Sequence, residues 1–292
     1  MEYTNVIADN NNDIILDLLL TVVEYETEGI QGVLKTGFCS TFLADAEIGS
    51  DVRLFIKPSG FHLPETKKAT IQGKLSVLET IGKITSIEGL EPVLFIGAGS
   101  GIAPFRGFYQ QMLLNSIEPS YHKEIVQKIE TVNYSNISEV NSLKKLIEMY
   151  VYICKKGMCS RRSIKLFFGC RNRESNLLSK ETDLYSAILR RFDAFSRGEN
   201  GLNEYNYEVM ENQSEIVYNA LVKQSGYIYV CGKISMADAV FKSFVSIISR
   251  HLITDHKIED DEEKISFVEQ IAEDFMNSLK DNGRYDEDIF GN

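Results

Sequence analysis

The stretch that decides the fold is EPVLFIGAGSGIAPFRGFYQQ, residues 91–111. An apolar run at 93–96 is followed by glycines at alternate positions, Gly97, Gly99 and Gly101. Ile-Ala-Pro and a helix-like segment come next. This order predicts a strand, a turn without side chains and a helix start. Such a junction presents bare backbone N–H groups and the positive end of a helix dipole, where a pyrophosphate can bind. The G-x-G-x-G spacing alone leaves an ordinary tight turn equally open.

Beyond residue 92, apolar strand patterns alternate with helical patterns. The strands are PVLFIGAG, KLFFGCRN, FDAFSR and YIYVCGK, and the helices are predicted at 103–114, 179–192, 213–224, 236–251 and 264–280. Strands and helices in alternation predict an α/β domain with a parallel sheet. Two polar segments, 115–162 and 198–213, are interpreted as surface excursions between core elements.

The first 90 residues have a different pattern. Residues 13–25 read as one long strand, 51–58 as another, and 36–46 as a turn that leads into a short helix. We therefore predict two domains, 1–90 and 91–292, with the two polar segments as insertions in the second.

Composition and net charge restrict the binding partners, the cellular compartment and the metal sites that we expect. The chain has 292 residues and a formal net charge of −11, which argues against nucleic acid as a partner. The N-terminus lacks a signal-peptide pattern, and the run IILDLLLTVV is too short to span a bilayer. Five scattered cysteines favour free thiols in a reducing compartment, so we expect a cytoplasmic protein. Cys154 and Cys159 lack the further ligands of a zinc site, and we predict no metal.

Several motifs carry a resemblance to a known family. GAGSGIAPFRGF closely resembles the GPGTGIAPFRGF signature of the ferredoxin-NADP reductase superfamily, in particular its diflavin branch. That branch includes NADPH–haemoprotein (cytochrome) reductase, the sulfite reductase flavoprotein and the reductase half of nitric oxide synthase. Further motifs of the branch follow in the same order along the chain: VEYE (23–26), TGFCSTFL (36–43), GFHLP (60–64), LFFGCRNRE (166–174), DAFSR (193–197), YIYVCG (227–232) and GRYDEDIF (283–290).

The resemblance implies a fold and a function. Residues 1–90 would form a partial antiparallel β-barrel that binds FAD, truncated at its N-terminus, and residues 91–292 an NADP(H)-binding α/β domain. Hydride would pass from NADPH to FAD, and electrons onward to a separate acceptor protein, a haemoprotein or a fused FMN domain. FMN itself would belong only to a domain upstream of this chain. The chain resembles the C-terminal part of a longer reductase or a truncated gene product.

For NADPH, the resemblance implies a set of contacts along the carboxyl ends of the strands. Ser100 and Arg106, beside Gly99 and Gly101, would contact the phosphates. The remaining positions that match the family's NADPH-binding motifs are Cys170, Arg171, Ser196, Arg197, Tyr218, Met236 and Asp238. Of these, the Ser-Arg pair would hold the 2′-phosphate, since a hydroxyl and a guanidinium suit a phosphate dianion and favour NADPH over NADH. An exposed strand end is the alternative for this pair.

Four residues match the family's catalytic positions. Cys231 would lie against the nicotinamide C4, and Asp288 would orient the nicotinamide. Thr4 replaces the serine that hydrogen-bonds the flavin. Phe290 would stack on the isoalloxazine ring and move aside for the nicotinamide. A buried structural thiol and a cap on a hydrophobic edge are the alternatives for Cys231 and Phe290.

For FAD, the resemblance implies contacts in the first 41 residues. Tyr25 would stack near the adenine, and Phe38 to Thr41 would offer N–H groups to the pyrophosphate. The complete set is Tyr3, Thr4, Leu19, Leu20, Thr21, Tyr25, Phe38, Cys39, Ser40, Thr41 and Phe290.

The chain departs from the family pattern at several places. The arginine that opens Arg-x-Tyr-Ser falls at Met1. The family's Lys-Val-Tyr-Val-Gln becomes residues 216–220, which removes a cation for the 2′-phosphate, and an aspartate after YVCG becomes Lys233. A barrel that lacks strands encloses a flavin poorly. These departures leave an alternative function, a catalytically silent NADP(H)-binding remnant or regulator that no longer holds FAD.

Overall fold

The structure is a computed structural model, and it describes residues 6–8, 14–16, 18–26, 34–55, 60–64, 91–154, 162–198, 201, 203–258 and 261–290. The chain divides into two compact units, residues 1–62 and 63–292. The predicted domain boundary near residue 90 lies next to residues outside this description and stays a prediction.

The first unit contains two small antiparallel sheets and one helix. Its elements are β1 (Val6–Ala8), β2 (Ile14–Leu16), β3 (Glu24–Glu26), β4 (Leu34–Thr36) and α1 (Phe38–Ala44). β1 pairs with β2, and β3 pairs with β4. The short helix after residue 36 is confirmed, whereas a closed barrel is not seen among the described strands.

Two strand predictions in this unit are wrong. The predicted long strand at 13–25 is two short strands, and residues 18–23 between them are irregular. At Val23 the backbone carbonyl accepts from Gly37 N–H (2.7 Å) and the N–H donates to Ser40 Oγ (3.1 Å). The backbone groups of Val23 therefore bond to a turn residue and a side chain, and not to a neighbouring strand. Residues 51–55 form no strand, and the rest of that predicted strand lies outside the described residues.

The second unit is built on a five-stranded parallel sheet. Its strands are β5 (Val93–Ala98), β6 (Ile164–Cys170), β7 (Leu189–Phe195), β8 (Tyr227–Gly232) and β9 (Tyr285–Ile289). Their order is β7-β6-β5-β8-β9, and every pair is parallel. The predicted α/β fold with a parallel sheet is confirmed. The central strand is fully buried from Val93 to Ile96, as expected for a strand covered on both faces.

Helices cover both faces of this sheet. They are α2 (Ala103–Asn115), α3 (His122–Thr131), α4 (Ile137–Cys154), α5 (Ser179–Leu184), α6 (Asn206–Asn212), α7 (Ser214–Tyr218), α8 (Ile234–Asp255) and α9 (Glu262–Asp281). Leu94 and Ile96 pack with α6 to α9 in one core cluster. On the other face, Phe95 stacks on Phe105 of α2, with ring centroids 4.6 Å apart.

Four features of this unit differ from the expectations. The helix predicted at 179–192 ends at Leu184, because the chain then turns into β7 and pairs with β6. Segment 198–213 is not wholly a surface excursion, since α6 buries Asn206, Val209 and Met210. Segment 115–162 likewise buries one face of α4. Finally, the C-terminal tail contains a strand, β9, which has no recognisable period in the sequence.

Within the described residues, no helix is both long and apolar enough to cross a membrane.

Candidate functional site

The glycine turn joins β5 to α2. Gly99 to Ile102 form one 3₁₀ turn, with Gly99 at a φ of +55°, and α2 begins directly after it. A Cβ added to Gly101 would lie 2.2 Å from the carbonyl oxygen of Cys231 at the end of β8. The backbone of the turn therefore packs directly against the backbone at the end of β8. The amides of the turn directly precede the N-terminus of a 13-residue helix. These residues fit the phosphates of a dinucleotide.

The sheet order places this turn at a topological switch point. From β5, the chain adds β6 and β7 on one side and β8 and β9 on the other. In open α/β sheets, ligands bind in the crevice at the carboxyl ends of the strands where the order reverses. A dinucleotide at the turn would extend one half over β6 and β7 and the other half over β8 and β9.

On the β8 side, the structure brings three predicted catalytic residues together. Cys231 and Asp288 are register partners in the parallel pair β8–β9. The N–H of Phe290 donates to the carbonyl of Gly232 (2.9 Å), so its aromatic ring, 44% exposed, follows the strand that carries Asp288. Since Gly101 contacts the same end of β8, all three share the edge of the sheet at the glycine turn.

The thiol of Cys231 is held in its protonated form. Burial raises its pKa to about 12, and the negative charge of Asp288 adds to this effect. The side chain is 3% exposed. The site therefore presents a neutral S–H group across the physiological pH range, with a carboxylate on the neighbouring strand.

On the β6 side, backbone bonds join the two predicted adenosine-binding pairs. Ser196 N–H donates to the Cys170 carbonyl (2.9 Å), and Arg197 N–H donates to the Arg171 carbonyl (2.7 Å). Both arginines are exposed. Burial raises the pKa of Cys170 to about 11, and the nearby Asp193 contributes. A cavity of about 870 Å³ opens here, between the segments that follow β6 and β7.

Tyr218 does not lie at this cavity, which corrects the prediction that it binds the cofactor. It is 4% exposed, its hydroxyl donates to Asp255 (3.4 Å), and its ring stacks on His251. Tyr205 is instead 47% exposed and stands at the N-cap of α6, directly after two residues that line the cavity. Tyr205 therefore lies beside the cavity, and Tyr218 does not. The short distance from DAFSR to Tyr205 was the signal that could have found it.

Met236 and Asp238 differ in their surroundings. A Cβ at Gly232 would lie 2.8 Å from the Met236 methyl carbon, so this side chain covers the end of β8. Asp238 is exposed on α8, as is Lys233 immediately before that helix. Met236 thus lies at the crevice, and the cofactor contacts of both residues stay predictions.

Asn206 is a buried polar residue of the crevice that sequence reasoning missed. Its Nδ2 donates to the carbonyl of Gly97 (2.9 Å), and the residue is 4% exposed. Its Oδ1 is buried without a hydrogen-bond partner among the described residues. A Cβ at Gly169 would lie 2.3 Å from that Oδ1, so β6 needs glycine there. Asn206 therefore ties α6 to the strand that carries the glycine turn.

Arg106 belongs to a buried network between α2 and α5. Its Nε donates to both carboxylate oxygens of Glu181 (2.9 Å each), and Tyr109 Oη donates to the same carboxylate (2.8 Å). The Arg106 side chain is 11% exposed. Burial, followed by the charge of Glu181, raises the pKa of Tyr109. The guanidinium is thus fixed by a carboxylate, and its predicted phosphate contact stays a prediction.

Among the residues predicted to bind FAD, Tyr3 and Thr4 lie outside the described residues. Leu19 and Leu20 are half-buried and Thr21 is exposed, while Tyr25 lies in β3. Four residues form the first turn of α1: Phe38, Cys39, Ser40 and Thr41. Thr41 Oγ1 is buried with no hydrogen-bond partner among the described residues, which fits a polar ligand at this turn.

Comparison with known proteins agrees with this geometry. The family model described as "Oxidoreductase NAD-binding domain" matches residues 95–242. A nitric oxide synthase-like protein of Bombyx mori is 30% identical over 94% of this chain and 19% of its own length. Nitric oxide synthase of Drosophila melanogaster is 28% identical over 94% of this chain and 15% of its own length. The inducible nitric oxide synthase of Gallus gallus is 29% identical over 94% of this chain and 18% of its own length.

The chain spans less than a fifth of the length of these relatives. The family model, in contrast, matches about half of this chain and includes the glycine turn, β6, β7 and β8. The prediction of a reductase module of the ferredoxin-NADP reductase type is confirmed, and the protein belongs to the oxidoreductase NAD-binding domain family.

Proposed function

We propose that this chain is the FAD- and NADPH-binding reductase module of a flavoprotein. Hydride passes from NADPH to FAD, and electrons continue to an FMN domain or a haemoprotein acceptor. The observation that carries the proposal is the meeting of Cys231, Asp288 and Phe290 at the glycine turn. The relatives are named as nitric oxide synthases, which supports an acceptor fused to the same type of module.

Each part of the crevice has a task in this function. The amides of the turn at Gly99 to Gly101 bind the pyrophosphate, with Ser100 beside them. Arg197 and Ser196 bind the adenosine end, and Tyr205 stands near it in place of Tyr218. The two cofactors supply the redox chemistry: a nicotinamide gives up hydride and a flavin accepts it.

The residues at β8 and β9 position the reacting ring and balance charge. Cys231 Sγ keeps its proton and offers a neutral S–H group to a nicotinamide bound beside it. The Asp288 carboxylate would stabilise positive charge on a nicotinamide bound beside it. Phe290 offers a flat aromatic surface for a flavin. The flavin contact of Thr4, which lies outside the described residues, stays a prediction. Phe38 to Thr41 and the segment 19–25 hold the rest of the FAD. The free thiols at Cys39, Cys154, Cys170 and Cys231 support a cytoplasmic location.

The test is a spectroscopic one. The purified protein, loaded with FAD, is mixed with NADPH without oxygen, and loss of the oxidised flavin absorption is followed. We expect bleaching, slowed by about tenfold to a hundredfold in Cys231→Ala, with little change in NADP⁺ affinity. Cys154→Ala, a buried thiol on α4 outside the crevice, is the matched control. A protein that binds NADP⁺ but neither takes up FAD nor bleaches would establish the silent, nucleotide-binding alternative.

A further inference from the structure

The cavity beside β6 and β7 carries charges of both signs. Among its described lining residues are two arginines and three glutamates: Arg173, Arg197, Glu174, Glu204 and Glu208. The uncharged side chain of Asn203 also lines the cavity. The described wall therefore carries carboxylates as well as guanidinium groups at the predicted adenosine end, with the exposed Arg171 next to it.

Two of these carboxylates are held in place by the fold. The backbone N–H of Glu204 donates to the carbonyl of Phe195 (2.9 Å), and its side chain accepts from Asn212 Nδ2 (3.3 Å). Glu208 accepts from the N–H of Tyr205 (2.7 Å) in the capping box of α6. They are parts of the wall and do not depend on a ligand for their position.

Carboxylates and guanidinium groups distinguish the two nicotinamide dinucleotides in opposite ways. In dinucleotide-binding folds, a carboxylate accepts hydrogen bonds from the free ribose hydroxyls of NAD, and an arginine accommodates the 2′-phosphate of NADP. A phosphate dianion is repelled by nearby carboxylates, whereas a neutral hydroxyl is not. A wall that carries both carboxylates and guanidinium groups has partners for a free 2′-hydroxyl and for a 2′-phosphate.

We propose that this cavity accepts an unphosphorylated adenosine ribose nearly as well as a 2′-phosphorylated one, so that NADH is a second hydride donor. Arg197 favours the phosphate, and Glu204 with Glu174 offsets that preference. The inference rests on the proposed function, because it assigns a ligand to one end of the same crevice.

Calorimetric titration of the full chain with NADP⁺, NAD⁺, 2′,5′-ADP and 5′-ADP tests the inference. We expect each phosphorylated ligand to bind within about thirtyfold of its unphosphorylated partner. A larger preference for NADP⁺ and 2′,5′-ADP would overturn the dual specificity and leave the reductase function standing. If none of the four ligands bound, both proposals would be wrong.

Charge-neutralising variants make the test specific to this wall. Glu204→Gln and Glu174→Gln each raise the affinity for 2′,5′-ADP by about two- to fivefold and leave that for 5′-ADP unchanged. Arg197→Gln does the reverse, with a selective loss for 2′,5′-ADP. Glu269→Gln, an exposed residue on α9 at the other end of the sheet, changes neither affinity. Equal affinities for 2′,5′-ADP in the wild type and both glutamate variants would contradict the proposal.

Discussion

Gly101 lies where the turn after β5 touches the end of β8, and its lack of a side chain is what permits the contact. In Gly101→Ala, the new methyl group would meet the Cys231 carbonyl at 2.2 Å, so backbone must move. We expect a loss of about 2 kcal/mol or more in the free energy of unfolding, with weaker NADP⁺ binding. Urea unfolding and calorimetry measure the two effects.

Gly107, six residues further on, is the control for that substitution. It lies within α2, and a Cβ added there meets nothing within 4 Å. Gly107→Ala should therefore stabilise the protein by about 0.5–1 kcal/mol, because alanine restricts the unfolded chain and favours helix. If both variants behaved alike, close packing at residue 101 would not be the reason for its glycine.

Cys231 makes stability depend on pH in the alkaline range. Burial and Asp288 raise the pKa of its thiol to about 12, whereas an unfolded thiol ionises near its ordinary value of about 8.5. The folded state thus retains a proton that the unfolded state loses, and its stability falls between about pH 9 and about pH 12. Below that window the thiol is protonated in both states, and it contributes no pH dependence.

We expect this single thiol to add a slope of up to about 1.4 kcal/mol per pH unit. The measurement is urea unfolding of wild type and Cys231→Ala at several alkaline pH values. The stability of the wild type relative to the variant should decline as the pH rises. A constant difference would show that the thiol titrates alike in both states.

At the scale of elements, one ion pair joins the helix of the glycine turn to a helix on the neighbouring βα unit. Glu181 on α5 is 6% exposed and accepts from both Arg106 and Tyr109 on α2. Glu181→Gln leaves a buried guanidinium without its carboxylate, and we expect a loss of about 2–4 kcal/mol in chemical denaturation.

Asp183 offers the matched control on the same helix. It pairs with Lys144 at 2.9 Å, but its side chain is 56% exposed. Asp183→Asn should cost less than about 1 kcal/mol, since water screens an exposed pair. Equal losses in the two variants would mean that burial of the Arg106–Glu181 pair adds nothing to its stabilising effect.

The elements that the sequence predicted well are those with a strong local signal. The strands β5 and β8 are continuous apolar runs, β6 is interrupted only by Lys165, and α8 and α9 have clear helical periods. β9 escaped prediction because YDEDI is polar and becomes a strand only through its pairing with β8. Pairing between strands also explains why the helix prediction at 179–192 was wrong, because pairing with β6 overrides a helical pattern in the second half of that segment.

In the candidate site too, residues marked by a sequence motif were predictable, and residues positioned only by packing were not. Its glycine turn and Cys231 were predictable, because a motif marks each of them. Asn206 was not, since an asparagine in a polar segment gives no sign that it will be buried against Gly97. Tyr218 was misplaced because three tyrosines, Tyr205, Tyr207 and Tyr218, follow DAFSR before the next strand, and only packing shows that Tyr218 is buried away from the cavity.

At the scale of the whole molecule, the chain consists of two compact units, and the proposed function assigns FAD to the first and the nicotinamide dinucleotide to the second. We expect calorimetric unfolding to show two transitions. NADP⁺ at about a hundredfold its dissociation constant stabilises the α/β unit by about 2.7 kcal/mol, or by about 5–10 °C. FAD should move the other transition. A single transition that shifts with both ligands would show that the two units unfold as one.

The connection between β8 and β9 determines when the crevice becomes complete during folding. β6 and β7 are joined through one short helix, so their cavity needs only local contacts. β9 reaches β8 only after α8 and α9 have both been laid down between them. Closing so long a loop is slow, because its entropy is lost before the pairing contributes. In refolding experiments, capture of adenine nucleotides should therefore return before oxidation of the dinucleotide does.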